Sequence, residues 1–347
     1  MSKQFDYIVV GAGSAGCVLA NRLSECGRYQ VALLEAGGRD WYPWIHVPVG
    51  YFKTMGNPLT DWCYKSKPCA GLNGRSIPWP RGKVLGGSSS INGLLYVRGQ
   101  AQDFDDWANL GNEGWQWDQV LPYFKRSEDW QGAANDLRGQ GGQLTVSETR
   151  LSRPVVDAWL EAAQNFGYPA NKDYNGEDQE GVGLFQLTAK KGRRCSTAVA
   201  YLNPARSRAN LTILTGSCVE KLLFEGNRVT GVRLASGDLK ANKEVILSAG
   251  AIGSPQLLMV SGIGAAEQLT PHKIKMVKEL PGVGQNLQDH LQARPVFKCA
   301  SSTINTEINS WFKQGLIGLE YLLKRTGPMT MAASLGTGFV KTHLSPD

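Results

Sequence analysis

Three glycines and one acid carry the clearest chemistry in the chain: Gly11, Gly13 and Gly16, spaced G-x-G-x-x-G, and Glu35 further on. At this spacing Gly11 permits a tight turn, Gly13 lets a diphosphate approach the backbone, and Gly16 lets a helix pack close to a sheet. Ser14 opens that helix. Its free N–H groups and the positive end of its dipole would hold a diphosphate without a basic side chain. Glu35 can accept hydrogen bonds from a ribose diol, and its charge disfavours a phosphate at that position. The pattern indicates a dinucleotide and leaves NAD and FAD both open, because both use it.

The elements that must position these residues are legible on either side. Tyr7-Ile8-Val9-Val10 reads as a short strand covered on both faces, and Val31 to Leu34 as its parallel neighbour ending at Glu35. Between them a helix from Ser14 to about Cys26 is expected, with Ala15, Val18, Leu19 and Leu23 as its sheet-facing stripe and Ala20 keeping the contact small. A second glycine-rich stretch, Pro80-Arg81-Gly82-Lys83-Val84-Leu85-Gly86-Gly87-Ser88-Ser89-Ser90-Ile91-Asn92-Gly93, offers accessible backbone N–H groups and short hydroxyls. Residues 37–67 are aromatic and proline-rich, with Trp41, Trp44, Trp62 and Tyr64 among few helix or strand signals. They read either as a cover over a site or as loop packing.

Composition narrows the class. The 347 residues allow one large or two ordinary domains, and 42% hydrophobic with 19% charged residues describes a globular protein. No apolar run reaches membrane-span length, and Lys3 followed at once by the first strand is not a signal peptide. Seven cysteines without a C-x-x-C pair, and four histidines without carboxylate or cysteine partners at ligand spacing, give no expectation of a bound metal. They fit a cytoplasmic protein with free thiols. The net charge of +7 is mostly scattered. Its one cluster, Lys190, Lys191, Arg193 and Arg194, lacks aromatics for base stacking and reads as a solvated turn, so no nucleic-acid partner is expected.

The segment G-K-V-L-G-G-S-S-S-I-N-G, together with the opening fingerprint, resembles the glucose–methanol–choline oxidoreductase family, flavoproteins that oxidise alcohols. The resemblance continues through Tyr96-Val97-Arg98-Gly99, Asp103 to Trp107, Gly114-Trp115 and Leu121-Pro122-Tyr123-Phe124. It recurs at Gly250 to Leu258 with Ser261-Gly262-Ile263-Gly264, and at Gly282 to His290. Nearly the whole chain is covered, with the motifs in the family order, and the choline dehydrogenase-like branch looks nearest.

The resemblance implies an α/β fold with a discontinuous FAD-binding Rossmann-like domain, residues 1–150 and 190–290, and a split, incomplete α+β substrate domain, residues 151–189 and 291–347. It implies FAD as hydride acceptor. Gly11, Gly13, Ser14, Gly16 and Glu35 would hold the ADP part. Val84, Gly87, Asn92, Gly93, Leu94 and Leu95 would lie along the flavin, Val219 would touch adenine, and the strand ending at Ala249 would return to the cofactor. Ile91 stands where some members carry a flavin-linking histidine, so the flavin is expected to be held non-covalently. The substrate would be a primary alcohol, choline-like or aliphatic, and the electron acceptor a quinone or oxygen. The basic charge leaves open a weak peripheral contact at the inner membrane surface.

Members resembling this chain supply a catalytic histidine, paired with histidine or asparagine, in a segment expected beyond Asp347. None of His46, His272, His290 and His343 matches that motif, so no catalytic residue is assigned. An alternative reading is a flavin-binding fragment without activity.

The same pattern predicts strands at Leu211–Leu214, Gly231–Leu234 and Glu244–Leu247, with turns at Gly226-Asn227 and Ser236-Gly237-Asp238. Helices are expected over Asp118–Asp129 with Asp118 as N-cap, over Pro154–Gly167, from Ser254-Pro255 to Gly262, and around Asn309–Arg325.

Overall fold

A computed structural model describes residues 3–342 and Leu344. The chain is an α/β protein with two compact units. One comprises residues up to Tyr42, Lys53–Ile91 and Ser196–Val296; the other comprises Pro43–Phe52, Asn92–Cys195 and the chain from Phe297 onward. Residues 92–150, which the sequence reading groups with the FAD domain, pack in the second of these.

The first unit is built on a six-stranded sheet of β1 (Lys3–Val10), β2 (Val31–Leu34), β3 (Leu211–Leu214), β4 (Val219–Glu225), β5 (Arg228–Leu234) and β6 (Gly237–Leu247), in the order β3-β2-β1-β6-β5-β4. The first four are parallel: Val31 pairs with both Tyr7 and Leu211, and Val10 with Leu34 and Leu247. β6 then runs antiparallel to β5, and β5 to β4, as a meander. Its turns are at Gly226 (φ 59°) and Gly237 (φ 117°), where the left-handed backbone suits glycine. Continuous apolar strands are what a sheet covered on both faces requires. Ile8, Val10, Ala32 and Leu34 accordingly pack into one core with Leu222, Val232, Leu234 and Leu257.

Two helices flank the glycine turn. The first, α1 (Ser14–Ser24), differs from expectation in its inner face. Its fully buried residues are Gly16, Cys17, Ala20, Asn21 and Ser24, while Ala15 is exposed and Val18, Leu19 and Leu23 are half-buried. A helix held this near its sheet admits only small side chains on the inner face, so the bulkier residues are rotated outward. The second, α2 (Gly250–Val260), begins four residues before the expected Ser254, with Ala249 at its N-cap. Ser254 acts from inside the helix, its Oγ accepting the Ala249 N–H at 3.0 Å. Pro255 lies one turn in, where its missing N–H loses a single intrahelical bond.

The second unit holds helices at Ala101–Asn109, Trp117–Ser127, Pro154–Asn165 and Trp311–Lys324, with a small sheet of Glu128–Trp130, Leu144–Glu148 and Gln186–Leu187. The helix expected over Asp118–Asp129 starts at Trp117 behind Gln116 and stops at Ser127; Asp118 lies in its first turn and is not the cap. The reason is Glu128. Its carboxylate is fully buried and accepts from Arg98 at 2.7 Å, from Arg138 at 2.7 Å and from the Gly139 N–H at 2.8 Å. This pairing pulls the chain out of the helix and into a strand. Among the described residues no helix is long and apolar enough to cross a membrane.

Candidate nucleotide-binding site

At the carboxyl ends of β1 and β2 the first unit encloses a cavity of about 730 Å³. Gly11, Gly13, Ser14, Glu35, Gly87, Val219 and Ala249 all line it. Gly16 lies behind, and each glycine answers a different constraint. Gly11 has φ 97°, and a Cβ there would come within 2.7 Å of the Ser248 carbonyl oxygen. At Gly16 a Cβ would stand 1.9 Å from the Gly11 oxygen, so this residue sets how closely α1 meets β1. Gly13 is different. Its φ of −77° suits any residue, and a Cβ would meet no atom nearer than 4.0 Å. The protein's own packing does not require glycine there; what a side chain would fill is the space beside the helix N-terminus that a diphosphate would occupy.

Glu35 is 5% exposed. Its Oε2 accepts the Ala12 N–H at 3.0 Å and its Oε1 the Gly37 N–H at 2.8 Å, tying the end of β2 to the glycine turn. Each oxygen keeps a second lone pair for a ribose hydroxyl. Burial pushes its carboxyl up to about 7, against the two N–H bonds and the nearby Lys83 charge, which favour the anion.

Four residues with no role expected from the sequence also line this cavity: Trp62, Tyr64, Arg81 and Ser88. The first two come from the aromatic stretch for which a cover and plain loop packing were both open. Their rings stack at 5.7 Å with a 6° interplanar angle, and the Lys83 ammonium lies 4.7 Å above Trp62. Asp61, 2% exposed, holds them by accepting N–H bonds from Gly56 at 2.7 Å, Cys63 at 2.9 Å and Arg81 at 2.9 Å. A Thr-Asp-Trp run between prolines gave no periodic signal from which this could be read. Val84 is buried beside Gly38, to which it is bridged, and does not line the cavity.

Asn92, Gly93, Leu94 and Leu95 form a corner of the second unit. Leu94 is fully buried at φ 64°, a left-handed conformation that costs a branched side chain energy. Its carbonyl accepts from the Thr188 N–H at 2.9 Å, and Leu95 is bridged to Leu187. Arg194 corrects an expectation. The turn around Lys191 and Gly192 is present and Lys190, Lys191 and Arg193 are exposed, but Arg194 is only 2% exposed. It donates from Nε to the Ile45 carbonyl at 2.8 Å and from its two terminal nitrogens to Asn92 Oδ1 and the Asn92 carbonyl, each at 2.7 Å. Burial lowers its pKa to about 9, which leaves it a cation at neutral pH.

Among the described residues no group of three potential metal ligands is close enough to hold an ion. His272 and His290 are exposed and His46 is half-buried; His343 lies outside the described residues.

Comparison with known proteins agrees with this geometry. The chain is 46% identical over 334 residues to the oxygen-dependent choline dehydrogenase of Vibrio vulnificus, covering 94% of this chain and 60% of that one. It is 43% identical over 353 residues to the mitochondrial choline dehydrogenase of Homo sapiens, covering 98% and 59%. Among solved structures, pyridoxine 4-oxidase from Mesorbium loti superposes with a TM-score of 0.79 at 38% identity, over 82% of this chain and 57% of that one. An FAD-dependent oxidoreductase from Chaetomium thermophilum superposes at 0.85 with 31% identity, over 96% and 61%. The chain thus spans about 60% of the length of the curated relatives it matches. The family description GMC oxidoreductase matches residues 5–292, the span that contains the glycine turn, Glu35, the G-G-S-S-S segment and α2, and the chain belongs to that family.

Proposed function

We propose that the protein is an FAD-dependent oxidoreductase acting on CH–OH groups, which oxidises a primary alcohol, choline-like or aliphatic, to the aldehyde. The observation that carries the cofactor is Gly13: a glycine that the fold does not need, at a helix N-terminus, opening onto a cavity also lined by Glu35 and Val219. In this reading Gly13 and Ser14 N–H groups hold the diphosphate, Glu35 the ribose and Val219 the adenine, and Ala249 ends the strand that returns to the cofactor. The roles of Val84, Gly87, Asn92, Gly93, Leu94 and Leu95 along the flavin, and of Gly11 and Gly16 in shaping the turn, follow from the family motifs. When bound, FAD supplies the acceptor for a hydride from the alcohol carbon. Ile91 offers no atom for a covalent link, so the flavin is held non-covalently.

The test is to load the chain with FAD, remove oxygen, and titrate choline and simple primary alcohols while following the flavin absorption. Bleaching by a primary alcohol supports the activity. A flavin-loaded chain that no alcohol reduces fits the second reading, a flavin-binding protein without alcohol oxidation. That reading is favoured by the histidines, two of which, His272 and His290, lie exposed on the first unit. The acceptor, quinone or oxygen, is identified by which of the two restores the oxidised spectrum.

A further inference from the structure

We infer that Arg194 is a positioning residue: it clamps the Asn92–Leu94 corner and turns the Asn92 amide so that its N–H₂ end faces outward, as the hydrogen-bond donor that the flavin meets. The inference rests on the reading above, in which this corner lies along the flavin.

Asn92 Oδ1 accepts twice, from the Arg194 guanidinium at 2.7 Å and from the Leu94 N–H at 3.1 Å. Two donors on one atom identify it as the oxygen, which leaves Nδ2 as the outward end of a residue that is itself exposed. The second Arg194 bond, to the Asn92 carbonyl, fixes the backbone of the same residue, and the third, to Ile45, anchors the guanidinium from behind. Arginine suits this task because its planar fork presents several donors in fixed directions, which lysine does not.

The backbone next to it shows why a clamp is needed. Leu94 is held at φ 64° with its side chain fully buried, a conformation that persists only where the surroundings over-determine it. They do so here: the Asn92 Oδ1 bond lies on its N–H, the Thr188 N–H and hydroxyl reach its carbonyl at 2.9 and 3.2 Å, and the Gly93 carbonyl accepts the Ala333 N–H at 3.1 Å. A Cβ on Gly93 would lie 2.4 Å from the Ala333 methyl. A corner fixed from every side, with one amide donor left pointing out, is organised to meet an acceptor on a planar ligand.

The experiment compares FAD and ADP binding by the full chain and its Arg194→Lys, Arg194→Gln and Asn92→Asp variants, with the midpoint potential of the bound flavin as second readout. ADP reports the first-unit cavity alone. For Arg194→Lys we expect ADP affinity within about twofold of wild type and FAD affinity about ten- to a hundredfold weaker, the range for losing one or two charge-assisted bonds. Asn92→Asp keeps the Arg194 pairing and hence the fold, but replaces the outward donor with a carboxylate; the flavin potential should become more negative. If Arg194→Gln does not fold, the other two variants decide. An unchanged ratio of FAD to ADP affinity in Arg194→Lys overturns the inference, as does an equal loss of both ligands, which would make Arg194 merely structural. Wild-type chain that takes up ADP but no FAD would refute the proposed function first and this inference with it.

Discussion

Replacing Gly13 with alanine separates a glycine kept for a ligand from a glycine kept for the fold. The backbone at Gly13 is extended and open to alanine, and the new methyl would meet no protein atom within 4.0 Å. Stability should therefore hold or rise by about 0.4–1 kcal/mol, through the reduced entropy of the unfolded chain. The methyl would stand in the cavity, where the proposed function puts the diphosphate. An overpacking cost of about 1–3 kcal/mol on the bound state corresponds to ADP and FAD binding weakened roughly 5- to 150-fold. Gly16→Ala is the control. Its methyl would lie 1.9 Å from the Gly11 oxygen, so α1 must move off β1, and the chain should lose about 1–3 kcal/mol or more of stability. The assay is calorimetric titration with ADP and FAD beside thermal unfolding of the three ligand-free proteins. A Gly13→Ala chain that binds ADP as tightly as wild type would refute the reasoning, and so would one that melts as early as Gly16→Ala.

Further outcomes follow from buried groups. Glu128→Ala takes from Arg98 its carboxylate partner and leaves Arg138 only its pair with Asp173 at 2.6 Å; it should cost about 3–5 kcal/mol, read from denaturant unfolding. Glu35, whose carboxyl is pushed up to about 7 from its ordinary 4.5 by burial, favours the folded ligand-free chain most below pH 4.5 and loses that contribution as pH rises to 7. Its share of the decline should be about 3 kcal/mol, and Glu35→Gln should unfold with a flatter pH dependence over that window. Asp61→Ala strands the N–H groups of Gly56, Cys63 and Arg81 and loosens Trp62 and Tyr64, so ADP affinity should fall about tenfold in a chain that still folds; unchanged affinity would show that the aromatic pair does not contact the nucleotide.

The parts of the fold legible in the sequence are those whose signal is local. The apolar run Tyr7–Val10 that ends β1, the fully apolar β2, the glycine turn, and the turns at Gly226 and Gly237 need only neighbours in the chain to be recognised; the structure has them where expected, with β1 extended back to Lys3. Long-range pairing accounts for what was misplaced. Glu128 leaves its helix because Arg98 and Arg138, 30 and 10 residues away, bury its charge. Arg194 looked like one more surface cation beside Lys190 and Lys191 because nothing in those residues reveals Asn92, 102 positions earlier, as its partner. The inner face of α1 followed closeness of approach in place of hydrophobicity, with Gly16, Cys17 and Ala20 buried and Leu19 and Leu23 turned partly outward. In the site, Gly11, Gly13 and Glu35 were legible as a motif, whereas Trp62, Tyr64 and Arg81 reach the same cavity from a segment without periodicity.

The central claim is that these residues build an FAD site, and the visible absorption spectrum of the purified chain, after incubation with FAD and removal of free cofactor, tests it most directly. The account predicts an oxidised-flavin spectrum at about one flavin per chain, released intact on denaturation because no covalent bond holds it. A folded chain that stays colourless after FAD, or that retains NAD in its place, would contradict it.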